Sequence, residues 1–82
     1  MDQPRSMSNP EVAALLHLDF TFVSRLRTGQ RQPSITTLAK VREIFGWSID
    51  EQVDAILADD YHIQFESQID TYAATHQEKA NV

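Results

Sequence analysis

Apolar residues fall at helical spacing in five successive stretches of this 82-residue chain, and capping residues or glycines mark most of their limits. The first stretch opens at Ser8-Asn9-Pro10-Glu11, the pattern of a capping box with a proline in the first turn, and carries Val12, Leu15 and Leu16 as its apolar stripe. Met7, just ahead of the cap, is placed to staple onto Val12. The second runs from Asp19, an N-cap, to Gly29, a residue that ends helices in the left-handed conformation. Val23 and Leu26 share a face with Leu18, whereas Phe20, Thr21, Ser24, Arg25 and Thr28 fall on the other side.

Beyond the loop Gln30-Arg31-Gln32-Pro33, Ser34 is the next cap. Ile35, Leu38, Val41, Ile44 and Phe45 predict an amphipathic helix that Gly46 ends, with Trp47 folding onto its last turn at Val41. Ser48-Ile49-Asp50-Glu51 repeats the capping-box pattern and starts a helix expected to send Ile49, Val53, Ile56 and Leu57 to the core. In the tail, Tyr61, Phe65, Ile69 and Tyr72 recur at spacings of four, four and three, which predicts an amphipathic helix over 59–76 with Asp60 as its cap. The alternation Tyr61-His62-Ile63-Gln64-Phe65-Glu66 is the competing pattern, a strand over 61–66 that pairs with a twin in a dimer. The expected class is all-α, with a flexible arm at 1–6, a main domain at 7–58, the C-terminal helix, and a disordered tail at 77–82.

Only His17, Leu18 and Asp19 separate the first two helices. Three residues leave room for a tight turn alone, so the two helices are expected to cross steeply as a helix-turn-helix. The outer face of the second is polar, bears an arginine and carries an unburied aromatic, which reads as a contact surface.

These residues carry a resemblance. Glu11 through Leu16, Leu18-Asp19, Val23-Ser24-Arg25-Leu26, Gly29-Gln30-Arg31-Gln32-Pro33-Ser34, Leu38 and Phe45-Gly46-Trp47-Ser48-Ile49-Asp50 follow in an order that resembles the Cro and phage-repressor (Xre, lambda-repressor-like) helix-turn-helix family. The likeness spans roughly half the chain, and Gly29 through Ser34 is its most specific part. It implies a small helical bundle whose second motif helix lies in the DNA major groove while the first crosses the backbone. It implies base contacts from Phe20, Thr21, Ser24 and Arg25; Arg25 is the foremost, because a guanidinium can bond both major-groove acceptors of a guanine. Phosphate contacts are expected from Ser8, Asn9, Thr28, Arg31 and Thr36, since helix starts and short polar side chains bind anions. Against these roles stand plainer ones: Arg25 as a solvated arginine or a partner of Asp19, Arg31 as a loop charge, Phe22 as core.

The chain also departs from the family. A helix that normally precedes the motif is missing, His17 stands where the family prefers glycine, and Arg27 stands where a glutamate often pairs with an arginine of that absent helix. An apolar surface must therefore be covered by something else. Arg27 is expected to face either the DNA backbone or the acidic tail, with Glu66 and Asp70 as partners.

A net charge of −5 is awkward for a DNA binder, so its distribution matters more than its sum. Residues 1–47 carry six basic against four acidic side chains, a balance of +2, and residues 48–82 carry Lys79 against eight acids, a balance of −7. A basic head can face phosphates while the acidic tail points away. The chain has no cysteine, and His17, His62 and His76 lack metal-ligand spacing, so no metal and no cofactor are expected. No Gly-rich phosphate loop, nucleophile elbow or paired-carboxylate spacing appears, which argues against an enzyme. The absence of any long apolar run argues for a cytoplasmic protein with no membrane association.

The leading expectation is a sequence-specific regulator of double-stranded DNA, from a bacterium or phage, with the helix at 20–28 in the major groove. Tyr61, Phe65, Ile69 and Tyr72 are then either a homodimer surface or a stripe that folds back to replace the missing helix. The competing expectation is a protein-binding module, such as an anti-repressor or an antitoxin, that uses the acidic C-terminal region.

Overall fold

The computed structural model of the chain describes residues 7–80, and the side chains of residues 7–75. Among these it is all-α: α1 (Asn9–Leu16), α2 (Phe20–Thr28), α3 (Ile35–Phe45), α4 (Ile49–Leu57) and α5 (Tyr61–Ala80), with no strand. The arm expected at 1–6 and the last two residues of the expected tail lie outside the described residues. Residues 77–80 belong to α5.

Local chemistry sets the limits of the helices. Ser8 Oγ accepts from the Glu11 amide while Glu11 Oε1 accepts from the Ser8 amide, so the capping box is closed in both directions. Ser34 and Ser48 cap α3 and α4 through the amides of Thr37 and Glu51. At the C-terminal ends, Gly29 (φ 85°) and Gly46 (φ 77°) take the left-handed conformation. Two other ends use side-chain-bearing residues in that region: His17 (φ 56°) closes α1, and Asp59 (φ 63°) follows α4. The amides of Asp59 and Asp60 return to the carbonyls of Ile56 and Ala55, the paired bonds of a Schellman motif without its usual glycine. Lys40 Nζ donates to the His17 carbonyl at 3.0 Å and so holds the turn between α1 and α2 from α3.

α1 packs on α2 and α3, α3 on α4, and α5 lies against α2, α3 and α4. The stripe of α5 is internal. Tyr61, Phe65 and Ile69 are buried in one core with Val12, Leu16, Val23, Leu26 and Val41, and Tyr72 meets Phe45 edge to face at 5.3 Å. The dimer surface expected at Tyr61, Phe65, Ile69 and Tyr72 is therefore not presented; the fold-back arrangement is the one adopted. The strand alternative at 61–66 fails for the same reason, since helical spacing sends all four residues to one side, whereas a strand would leave Ile63 to share the buried face with Tyr61 and Phe65.

α4 differs most from expectation. Its buried residues are Gln52 and Ala55, while Val53 is 38% and Leu57 79% exposed, with Ile49 and Ile56 only partly covered. The reason is a polar one. Gln52 Nε2 donates to the carbonyls of Leu38 and Trp47, each at 2.9 Å, and its Oε1 accepts from the Tyr61 hydroxyl at 2.8 Å. One side chain thus ties α3, the turn before α4, and α5 together, and turning Gln52 inward turns Val53 and Leu57 outward. Trp47 stacks on Tyr61 at 5.0 Å and Tyr61 on Phe65 at 5.8 Å, so Trp47 packs toward α5 as well as the core of α3. Among the described residues no buried side-chain polar atom lacks a partner, and no helix is long and apolar enough to cross a membrane.

Candidate nucleic-acid interface

The geometry of α2 follows from its two ends and its two faces. Asp19 Oδ2 accepts from the amides of Thr21 (2.9 Å) and Phe22 (3.3 Å), which fixes the first turn. At the other end the amides of Gly29 and Gln30 bond the carbonyls of Leu26 and Arg25. Val23 and Leu26 are fully buried and anchor the inner face. At about 100° per residue, Phe20, Thr21, Ser24, Arg25 and Thr28 occupy one arc of roughly 140°. Phe20 (52% exposed), Thr21, Arg25 and Thr28 are exposed and Ser24 is half-buried. All four residues expected to read bases therefore share one accessible face. Among the described residues the Arg25 side chain makes no hydrogen bond, ion pair or ring contact, and its expected alternative partner, Asp19, is spent on the cap.

No protein-family model, curated protein or solved structure matches this chain.

The residues expected at phosphates divide into two groups. Ser8 and Asn9 are given internal tasks: Ser8 is locked into the capping box, which also sets the Glu11 carboxylate at the start of α1, and Asn9 Oδ1 accepts from Arg27 Nη1 at 2.9 Å. A carboxylate over those amides fills the place an anion would take, so the α1 start is a poor phosphate site. Thr28, Arg31 and Thr36 are exposed. Thr28 Oγ1 lies 3.3 Å from the carbonyls of Ser24 and Arg25 and back-bonds within its helix. Thr36 sits in the first turn of α3, which holds no acidic residue, unlike the starts of α1 and α4. Arg31 precedes that turn, and its backbone amide donates to the Arg25 carbonyl at 3.2 Å.

Arg27 turns away from this face. It donates to Glu66 through Nε and Nη2, and through Nη1 to the Met7 carbonyl (2.8 Å) and Asn9. Of the two roles expected for it, the one toward the acidic tail is adopted, with Glu66 as the partner.

Two features had no signal in the spacing. The Arg31 guanidinium carbon stands 5.4 Å from the centroid of the Phe22 ring, a cation–π contact that reaches back from the loop after α2 to its first turn. His62 of α5 lies so close to Gly29 that a Cβ there would come within 3.2 Å of its ring. Gly29 is therefore favoured by its φ, and a Cβ there would also make the His62 ring shift. Among the described residues, no group of histidines and acids could hold a metal ion.

Proposed function

We propose that this chain is a small sequence-specific reader of double-stranded DNA, a transcription regulator of the Cro or repressor kind, and not an enzyme. The observation that carries the reading is the outer face of α2: a short, capped helix, buried on one side, with Phe20, Thr21, Ser24 and an exposed Arg25 together on the other. A helix of this size fits the major groove, where an arginine without partners among the described residues is available to bond guanine O6 and N7 and an exposed phenylalanine to pack on a thymine methyl. Arg31, Thr28 and the acid-free start of α3 at Thr36 supply the flanking phosphate contacts. The acids of α4 and α5 belong to the part of the chain that points away from phosphates.

The burial of Tyr61, Phe65 and Ile69 favours a reader of one short half-site, since the stripe that would have joined two copies is spent within the chain. Titration of a fluorescent duplex of mixed sequence at graded salt tests the DNA reading. Binding that weakens steeply and log-linearly as salt rises is expected; no binding at 50 mM salt by folded protein overturns it and favours the protein-binding module, for which the excess of acidic residues over 48–82 is the supporting feature.

A further inference from the structure

Arg31 lies in the loop after α2, where a long side chain on an irregular segment ordinarily samples many rotamers and loses that freedom on binding. Here it is held twice to the helix that precedes it. Its amide bonds the Arg25 carbonyl at 3.2 Å, and its guanidinium lies over Phe22 at 5.4 Å. Phe22 is itself fixed: it is half-buried, packs on the core, and its amide is held by Asp19. A ring engages the face of a guanidinium and leaves the in-plane N–H donors free, the edge with which arginine grips a phosphate.

We infer that Phe22 is a positioning residue, whose ring holds the Arg31 guanidinium back against α2 so that the phosphate anchor and the base-reading Arg25 move as one body. The inference rests on the DNA reading above. It assigns to Phe22 a task distinct from filling the core, and it explains why an aromatic occupies a position between the buried and the exposed faces of α2. With the anchor fixed to the reading helix, the phosphate contact sets the register of Arg25 along the groove, and less side-chain freedom is lost on binding.

A double-mutant cycle tests it. In the otherwise wild-type chain, Phe22→Leu should weaken duplex binding about three- to tenfold, the effect of freeing one long side chain, and Phe22→Tyr, which keeps the ring, should leave it unchanged. In an Arg31→Ala background, Phe22→Leu should have no further effect. Equal weakening in both backgrounds would mean that Phe22 acts only through the core and would overturn the inference while leaving the DNA reading intact. Absence of binding by the wild-type chain would overturn the DNA reading itself. The stack is also measurable without DNA: the Arg31 δ-methylene protons should show upfield ring-current shifts in the free protein, kept in Phe22→Tyr and lost in Phe22→Leu. Signals at random-coil positions in the wild-type chain would overturn the inference irrespective of how the variants fold.

Discussion

Arg27 on α2 and Glu66 on α5 are joined by two hydrogen bonds, Nε to Oε2 at 2.5 Å and Nη2 to Oε1 at 3.1 Å. The same guanidinium bonds the Met7 carbonyl and Asn9, so one side chain links the entry to α1, the end of α2 and the C-terminal helix. Arg27 is 13% exposed and Glu66 35%, which makes the two partners unequal. Removing Glu66 leaves Arg27 with its other acceptors; removing Arg27 strips all three sites at once. Arg27→Met should therefore cost about 2–3 kcal/mol, and Glu66→Ala about 1 kcal/mol. Urea denaturation of the singles and the double measures both. Equal costs would contradict the hub role of Arg27.

Gln52 should behave as a buried polar network rather than as packing. Gln52→Leu leaves the Tyr61 hydroxyl and the Trp47 carbonyl without their partner and should destabilise by about 2–3 kcal/mol. Adding Tyr61→Phe removes one of the stranded groups, so the double variant should be more stable than the sum of the two single costs predicts. Strict additivity would mean that the hydroxyl and the amide do not interact.

The Tyr61 hydroxyl makes stability fall at high pH. Burial raises its pKa well above the ordinary value of 10.0. The folded state therefore keeps a proton that the unfolded state releases, and the contribution is full below pH 10 and is lost as pH rises beyond it. Relative to Tyr61→Phe, the wild-type chain should lose stability by about 1.4 kcal/mol per pH unit above pH 10. Parallel pH profiles for the two chains would exclude this coupling.

The outward turn of α4 makes a contrast between two leucines. Leu57, exposed at the end of α4, should tolerate Leu57→Ser within about 0.5 kcal/mol. Leu26, fully buried on the inner face of α2, should lose about 3 kcal/mol or more on Leu26→Ala. Thermal denaturation of the pair decides whether α4 presents Gln52 or its apolar stripe to the core; a large loss for Leu57→Ser would favour the stripe.

Where side chains act on their own neighbourhood, the sequence was readable. Ser8 with Glu11, Asp19, Ser34, Gly29 and Gly46 delimit helices because a cap acts within four residues, and the spacing of Tyr61, Phe65, Ile69 and Tyr72 is a property of one helix. The shared outer face of Phe20, Thr21, Ser24 and Arg25 follows from the same periodicity. What could not be read were relations between segments. Gln52 looks like a surface residue until α3 and α5 supply its three partners, and only then are Val53 and Leu57 displaced outward. The same holds for Asn9, drawn inward by an arginine eighteen residues away, and for Phe22 and Arg31, brought together by the turn at Gly29. His17 and Asp59 in left-handed conformations were equally hidden, since only the closure of each helix end shows what is asked of them.

Selection from a randomised duplex library, with Arg25→Ala run in parallel, tests whether the outer face of α2 reads sequence. The wild-type chain should enrich one short motif containing a guanine, and Arg25→Ala should lose the preference at that guanine while still binding duplex through its phosphate contacts. An inverted repeat with half-sites about one helical turn apart would reveal a dimer formed through a surface other than Tyr61, Phe65 and Ile69. Failure of folded wild-type protein to enrich any sequence over input would mean that α2 reads none.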